Sequence, residues 1–343
     1  MQTKMSRGKL LDERGALYEA GYAKSLVKEY DRRAIKGGVT RIKEWDYYLI
    51  YNDDYAIALT IADNSYMGLI SATLIDFKKP FEKTKSIMTL LPMGKTKFPS
   101  SSVNGDVNYV NKNVTAEFLN DGTIRKLKMN IKKFDKDSPV NIYLELTDAP
   151  KDSMVIATPF SEKDTAFYYN QKIIGMKAEG KVEFSGNTYE FSLENSKGLL
   201  DWGRGVWTYD NTWYWGAGQG KVEGKDFGFN IGYGFGDTSQ ASENMLFFEG
   251  IAHKLEQVSF NIPKLSNGKD DYMNPWTFTS SDGRFEMEFT PIIDREVYTS
   301  LGIILSDQHQ VFGYLDGKAI LDDGKEIILN KFLGFAEKVR NKW

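Results

Sequence analysis

Short runs of alternating residues, cut by turn chemistry roughly every eight to fifteen positions from Trp45 onward, restrict this chain to antiparallel β structure. Among the cuts are Asn120-Asp121-Gly122, Ser185-Gly186-Asn187, Glu223-Gly224-Lys225, Ser281-Asp282-Gly283, Asp316-Gly317 and Asp323-Gly324. Each joins a glycine able to take positive φ to a short polar side chain that bonds nearby backbone, which is hairpin chemistry. Between them the side-chain period is two. Tyr55, Ile57, Leu59 and Ile61 oppose Ala56, Ala58, Thr60 and Ala62, while Phe285, Met287 and Phe289 oppose Arg284, Glu286 and Glu288. The long helical periods that βαβ units need are missing, which argues against a doubly wound nucleotide fold.

An all-β chain of 343 residues exceeds the usual single core, so two β domains in tandem are expected. Residues 1–40 are charged and weakly patterned and read as an arm. The polar, turn-rich stretch APKDSMVIATPFSEKDT puts the joint near 150–170, giving a first β domain over 41–165 and a second over 166–343. Short helices fit around 23–30 and, at the C-terminus, around 331–341.

Lys and Arg number 44 against 47 Asp and Glu, a formal charge of −3, so nothing draws the chain toward nucleic acid. With no cysteine there is neither a disulfide nor a thiolate nucleophile. A polar N-terminus and the lack of any long apolar run point to a cytoplasmic protein without stable membrane insertion.

Chemistry concentrates in Leu200–Asp237, which holds four of the seven tryptophans among many glycines. Glycine weakens a strand, so Gly228, Gly232 and Gly234 opposite Phe227, Phe229, Ile231 and Tyr233 imply curvature, a bulge, or a group pressed on the backbone. A ligand cavity walled by Trp202, Trp207, Trp213 and Trp215, with Tyr209 and Tyr233 beside them, meets that requirement. Asp201, Arg204 and Asp237 are the charges set in this segment, and inside an apolar cavity each has to be paired or shifted in pKa. Either Arg204 braces a carboxylate, or one carboxylate serves as a general acid or base. GAGQGK at 216–221 lacks the spacing of a phosphate loop. In the polar stretch after the glycine strand, Asp237, Thr238, Glu243 and Asn244 are placed to face the mouth of a barrel.

Only His253 and His309 occur, and neither has a partner at metal-ligand spacing, so no metal site and no cofactor are expected. His309, between Asp307 and Gln310, is a candidate proton carrier.

LDWGRGVW at 200–207, GYGFGDTS at 232–239, SDQHQVFG at 306–313 and GFAEKVRNKW at 334–343 resemble the signature segments of the domain of unknown function 2804 family, a likeness that runs from KEWDYY at 43–48 to the end. More distantly, the two-part β organisation and the Asp201-Trp202 element are similar to the lipocalin-like superfamily of carotenoid hydratases, AttH proteins and tocopherol cyclases. That resemblance implies tandem lipocalin-like barrels or sandwiches. In enzymatic members it implies acid-catalysed hydration or cyclisation of apolar molecules, with Asp201 carried over as an acid in a tryptophan-lined pocket.

Three activities fit these residues. The first is a cofactor-independent hydratase, isomerase or cyclase acting on a small apolar molecule, with Asp201, Asp237 or His309 handling protons. The second is a non-catalytic protein that binds a lipid-like ligand, and the third is a carbohydrate-active protein, since tryptophan platforms beside carboxylates also suit sugars.

Overall fold

The computed structural model describes residues 2–302 and 304–342. Two large antiparallel sheets carry nearly all of its regular structure, beside two three-residue 3-10 turns and a short parallel pairing near the N-terminus. The first sheet runs, neighbour to neighbour, Phe81–Leu90, Met67–Asp76, Tyr55–Asp63, Lys43–Tyr51, Lys197–Val206, Lys163–Phe184, Ser138–Thr147, Arg125–Asp135, Val114–Asn120 and Val107–Val110. The 22-residue strand Lys163–Phe184 shifts register between Ile174 and Met176, so its first half also pairs with Met154–Phe160 and its second with Ser138–Thr147. The second sheet runs Ile251–Lys254, Met245–Phe248, Lys225–Tyr233, Asp210–Val222, Glu326–Lys342, Ile304–Ile320, Phe285–Leu301, Trp276–Ser280 and Val258–Asn261.

Each sheet curls around a core of its own, and a third core lies between the sheets. Ile57, Leu59, Ile61, Trp202 and Val206 belong to the first core, and Phe229, Phe278, Phe285 and Phe289 to the second. The seam between the sheets takes Tyr47, Leu49, Tyr168, Leu199 and Trp207 from one side and Trp215, Phe312 and Phe335 from the other. Both faces of Tyr55–Asp63 are therefore covered: Ile57 and Leu59 enter the first core, while Ala56 and Ala58 face the seam. Small side chains on that face let the second sheet approach closely.

Lys163–Phe184 carries the chain straight across residues 165 and 166, where the sequence suggests a joint, and the change of sheet comes at Trp207–Tyr209. The expected C-terminal helix at 331–341 is instead part of the strand Glu326–Lys342. It is hydrogen-bonded on both sides, to Asp210–Val222 and to Ile304–Ile320. Over residues 332–337 the strand is buried on both faces, so that stretch shows no period of two, and the helix-forming Ala336-Glu337-Lys338 run yields to pairing. Around 23–30 the chain forms the short strands Gly21–Ala23 and Lys28–Glu29, not a helix. Among the described residues no helix is long and apolar enough to cross a membrane.

Candidate functional site

Two cross-strand rows of side chains face each other across the seam. On the first sheet the row is Tyr47, Asp201, Lys172 and Met154, fixed by the registers Tyr47 to Asp201, Asp201 to Lys172, and Lys172 to Met154. On the second sheet it is Gly232, Trp215, Glu337, Gln310 and Arg295, again direct cross-strand partners. Opposite residues on neighbouring strands sit about 5 Å apart, so each row is a contiguous line of functional groups.

Asp201 is buried and pairs with Lys172 Nζ at 3.1 Å, while Asn170 Nδ2 donates to its Oδ1 at 2.6 Å. The ammonium of Lys172 also lies 3.8 Å from the centroid of the Trp215 ring, which joins the two rows. Trp215 is held in turn by its Nε1–H, which donates to Asn230 Oδ1 at 2.8 Å. Glu337 accepts from Trp213 Nε1 and from Gln310 Nε2, both at 3.0 Å, and Arg295 Nη1 donates to Gln310 Oε1 at 3.0 Å. Near the same amide stands the hydroxyl of Tyr47, 3.4 Å from Gln310 Nε2.

Burial pushes the Glu337 carboxyl up to about 7, and the neighbouring charge of Asp201 acts in the same direction; the Trp213 bond, Lys172 and Arg295 oppose it. Burial likewise raises Glu243, whose carboxyl lies beside Gly232: a methyl on that glycine would stand 2.8 Å from Glu243 Oε1. The Tyr168 phenol is raised well above its usual range, first by burial and then by the charges of Asp201, Glu243 and Glu337. Tyr47 is pushed up to about 12, chiefly by burial. At neutral pH the seam therefore offers a carboxyl that exchanges its proton and two phenols that keep theirs, beside the Asp201–Lys172 ion pair.

One end of the seam is aromatic. Trp45 lies against the backbone of Gly203, with its ring in the space a Cβ would fill, at 1.9 Å from the position of that atom. Trp207 meets Trp45 edge-on at 5.4 Å, and Phe235 meets Trp207, Trp213 and Tyr168. At the other end the sheets part into two clefts of about 380 and 230 Å³ that share Lys197 and Gly220. Tyr51 and Gln219 line the larger one, and Tyr51 lies four residues, roughly 13 Å, along its strand from Tyr47. Neither cleft is lined by a tryptophan or by Asp201.

The seam brings together Asp201, Trp207, Trp213 and Trp215 of the residues that the sequence singles out. Trp202 and Arg204 point the opposite way, into the first core. There Arg204 Nη1 bonds Asp46 Oδ1 at 3.1 Å and the Trp45 carbonyl at 2.7 Å, and its guanidinium lies 4.1 Å from the Trp202 ring. The cation beside Asp201 is thus Lys172, not Arg204. Asp237 is exposed, accepting the Ser239 N–H in its own turn. His309 stacks on Tyr272 at 3.8 Å and bonds Asp294 at 2.6 Å. Burial works against its imidazolium, but the bond and charge of Asp294 outweigh it and raise the pKa. Tyr233 stacks on Tyr214 beside the second core, and Tyr209 is exposed at the crossover between sheets. Asn244 is fully buried, with Oδ1 accepting from Gly232 N at 2.7 Å and Nδ2 donating to the Glu256 carbonyl at 2.8 Å, so it braces the backbone.

Lys172, Tyr168 and Arg295 lie in no motif of the sequence, while Tyr47, Gln310 and Glu337 fall inside the family-like segments KEWDYY, SDQHQVFG and GFAEKVRNKW without standing out there. Their only shared signal is a polar side chain inside a run that is otherwise apolar, as in YYNQKII and GFAEKV. Among the described residues no three His, Cys, Asp or Glu side chains gather as a metal site.

The family described as Domain of unknown function (DUF2804) matches residues 2–343. The chain belongs to this family. Comparison with curated proteins finds no match. Among solved structures, the chain is similar to an AttH assigned in Nitrosomonas europaea, with 12% identity and a TM-score of 0.53 over 92% of this chain and 97% of that one. It also matches kievitone hydratase from Nectria haematococca, with 10% identity and a TM-score of 0.49 over 100% of this chain and 97% of that one. A third match is CghA with Sch210972, with 9% identity and a TM-score of 0.42 over 97% of each chain. The AttH likeness gives this DUF2804 protein its fold, two curled antiparallel sheets in tandem of the lipocalin-like type.

Proposed function

We propose that this DUF2804 protein is a cofactor-independent enzyme of hydratase, isomerase or cyclase type, acting on a small apolar molecule held in the seam between its sheets. The observation that carries this reading is the meeting of the two rows, which sets a carboxyl with a pKa near 7 across from a buried carboxylate–ammonium pair among aromatic rings. A general acid works best when its pKa lies near the working pH. Glu337 donates its proton to a carbon–carbon double bond, and the cation that forms on the other carbon is met by the carboxylate of Asp201 and by the aromatic rings of the seam. Loss of a proton to Asp201 completes an isomerisation. Attack by water, with its proton passing to Asp201, completes a hydration, and attack by a second double bond followed by proton loss completes a cyclisation. Each route returns one proton to the protein for the one Glu337 gave, so no redox cofactor or metal enters the balance. Tyr47 and Tyr168 stay protonated and orient the substrate.

A ligand carrier built on the same seam is the second reading, favoured by the close ring packing that covers the rows. A carbohydrate-active protein has less support, because the seam tryptophans pack among other rings and neither of the two clefts has a tryptophan in its wall. Native mass spectrometry of protein purified from its host identifies the class of co-purified ligand. Turnover of that ligand by the parent chain and its abolition in Glu337→Gln and Asp201→Asn, with binding retained, is the expected result. Unchanged turnover in both variants removes these residues from the chemistry, and binding without any turnover in the parent chain leaves the carrier.

A further inference from the structure

Phe235 is the hub of the aromatic end of the seam. Its ring meets Phe160 at 5.4 Å and 90°, Tyr168 at 4.7 Å and 88°, Trp207 at 5.2 Å and 75°, and Trp213 at 5.1 Å and 70°. Four rings standing nearly perpendicular to a fifth enclose a slot with the outline of one flat ring, and edge-to-face contacts of this kind favour an aromatic occupant. Tyr168, one wall of the slot, feels the charges of Asp201, Glu243 and Glu337. Trp213, another wall, donates its indole N–H to Glu337 Oε1 at 3.0 Å, so a ring in the slot is one side chain away from a proton-handling group, and none of the four walls is charged.

The backbone that carries Phe235 is unlike that of its neighbours. The strand Lys225–Tyr233 has ended and the next begins at Met245. Phe235 stands between Gly234 at φ 90° and Gly236 at φ 75°, in the left-handed region that glycine tolerates and other residues resist. Thr158 Oγ1 donates to the Phe235 carbonyl at 3.3 Å, and Asp237 N donates to the Pro159 carbonyl at 2.7 Å. The far end of the segment is pinned more heavily. Lys254 Nζ donates to Ser242 Oγ at 2.6 Å and to the Asn244 carbonyl at 2.9 Å, Gln2 Oε1 accepts from Ser242 N at 2.8 Å, and Thr3 N donates to the Gln240 carbonyl at 2.8 Å. A segment fixed at 240–244 and lightly tied at 235–237, with glycines on both sides of its one large ring, is built to swing that ring out and back.

We infer that the slot filled by Phe235 is a binding seat for a planar, uncharged ring of the ligand, and that Phe235 is its place-holder, leaving when the segment 234–239 swings away. The inference rests on the placement of the active site in the seam and narrows its substrate to molecules with a flat aromatic or conjugated ring. Neither cleft reaches the slot, so the seat opens only as Phe235 departs. A ligand that has to displace a side chain binds more weakly, in proportion to how rarely the side chain is out.

The test is titration of the full chain with 4-methylphenol, a neutral single flat ring, followed by tryptophan emission, since Trp207 and Trp213 form two walls of the seat. The parent chain is expected to bind it weakly with a change in emission, and Phe235→Ala to bind it about tenfold more tightly, because nothing has to leave first. Equal affinity in Phe235→Ala and the parent overturns the inference. Should Phe235→Ala fail to fold, Phe235→Trp takes its place: it overfills the seat and is expected to weaken binding about tenfold, and unchanged affinity there overturns the inference equally. The readout is binding of a ring that needs no turnover, so the loss of the acid–base reading leaves this test standing, and the loss of the seat leaves the Glu337→Gln and Asp201→Asn test standing.

Discussion

Lys172 reaches from the first sheet to rest its ammonium 3.8 Å from the centroid of the Trp215 ring on the second, while the same Nζ meets Asp201 at 3.1 Å. One buried cation thus satisfies a carboxylate on its own sheet and an aromatic face on the other. The contact fixes how far apart the two rows stand, and it places the charge of Asp201 where Glu337 and Tyr168 both feel it. Within an apolar seam such a pair holds only while both partners are present.

Lys172→Met is accordingly expected to lower stability by about 3–5 kcal/mol, since it strands the Asp201 carboxylate in the seam. The double variant Lys172→Met with Asp201→Leu is expected to recover most of that loss, because a pair of apolar side chains has no charge to desolvate. Urea unfolding of the parent, both single variants and the double gives the coupling directly. A double variant as unstable as the sum of the singles would show that the pair is not coupled.

Glu337 ties stability to pH. Its carboxyl ordinarily titrates near 4.5 and is raised by burial to about 7 in the folded chain. Between those values the folded protein keeps a proton that the unfolded chain has released, so stability falls as pH rises. The contribution is complete below about pH 4.5 and gone above about pH 7, a span of about 3 kcal/mol. Glu337→Gln cannot titrate and is expected to lose this slope, so its stability relative to the parent climbs across that window. Parallel curves for parent and variant from pH 4.5 to 8 would contradict the assignment.

How much of this was legible follows from what a side-chain period can say. The hairpins were readable because turn residues act locally, and Asn120-Asp121-Gly122 or Glu223-Gly224-Lys225 need nothing distant to bend the chain. A period of two also puts Asp201 and Trp202 on opposite faces, so the sequence itself argues against one pocket holding both. Which face meets which sheet is a different matter. Lys172 is 29 positions from Asp201 and Glu337 is 136, and only strand pairing brings them into the two rows. Glu337 was hidden further by the Ala-Glu-Lys run around it, which reads as helix, and by burial of both strand faces over residues 332–337. Asp237 stands out in the sequence as a charge among glycines and aromatics, and His309 as an imidazole near the carboxylate of Asp307; in the fold Asp237 caps its own turn, and His309 stacks on Tyr272 and bonds Asp294, outside the two rows.

Arg204 belongs to the first core, so its removal is expected to cost stability without touching the seam. Arg204→Met leaves Asp46, itself buried, without its guanidinium partner, at a cost of about 3–5 kcal/mol. Affinity for 4-methylphenol in the folded fraction, titrated at low temperature, is expected to match the parent, because the Arg204 side chain faces away from Asp201 and Trp207. A tenfold loss of affinity at full folding would return Arg204 to the ligand site.

Gly203 provides the sharpest test of the aromatic end. A Cβ built there would sit 1.9 Å from Trp45 Cζ2 and 2.2 Å from both Cε2 and Cη2, so the three nearest atoms all belong to one indole. The strand is extended at this point, with no positive φ, so nothing in the backbone itself demands glycine. The expected sign of Gly203→Ala therefore depends on whether the indole is present. In the parent chain the methyl forces Trp45 away from Gly203 and from its contact with Trp207, an overpacking cost of about 1–3 kcal/mol, with tryptophan emission shifted toward that of exposed indole. In a Trp45→Ala background the three atoms nearest the methyl are gone, and alanine is favoured over glycine in a strand by about 0.5–1 kcal/mol, so the same substitution is expected to stabilise. Chemical denaturation of the four chains measures both effects in one cycle. A Gly203→Ala penalty that persists undiminished without Trp45 would mean that the glycine answers to something other than the ring laid across it, and the indole would lose its place as the wall that closes the seam beside Asp201.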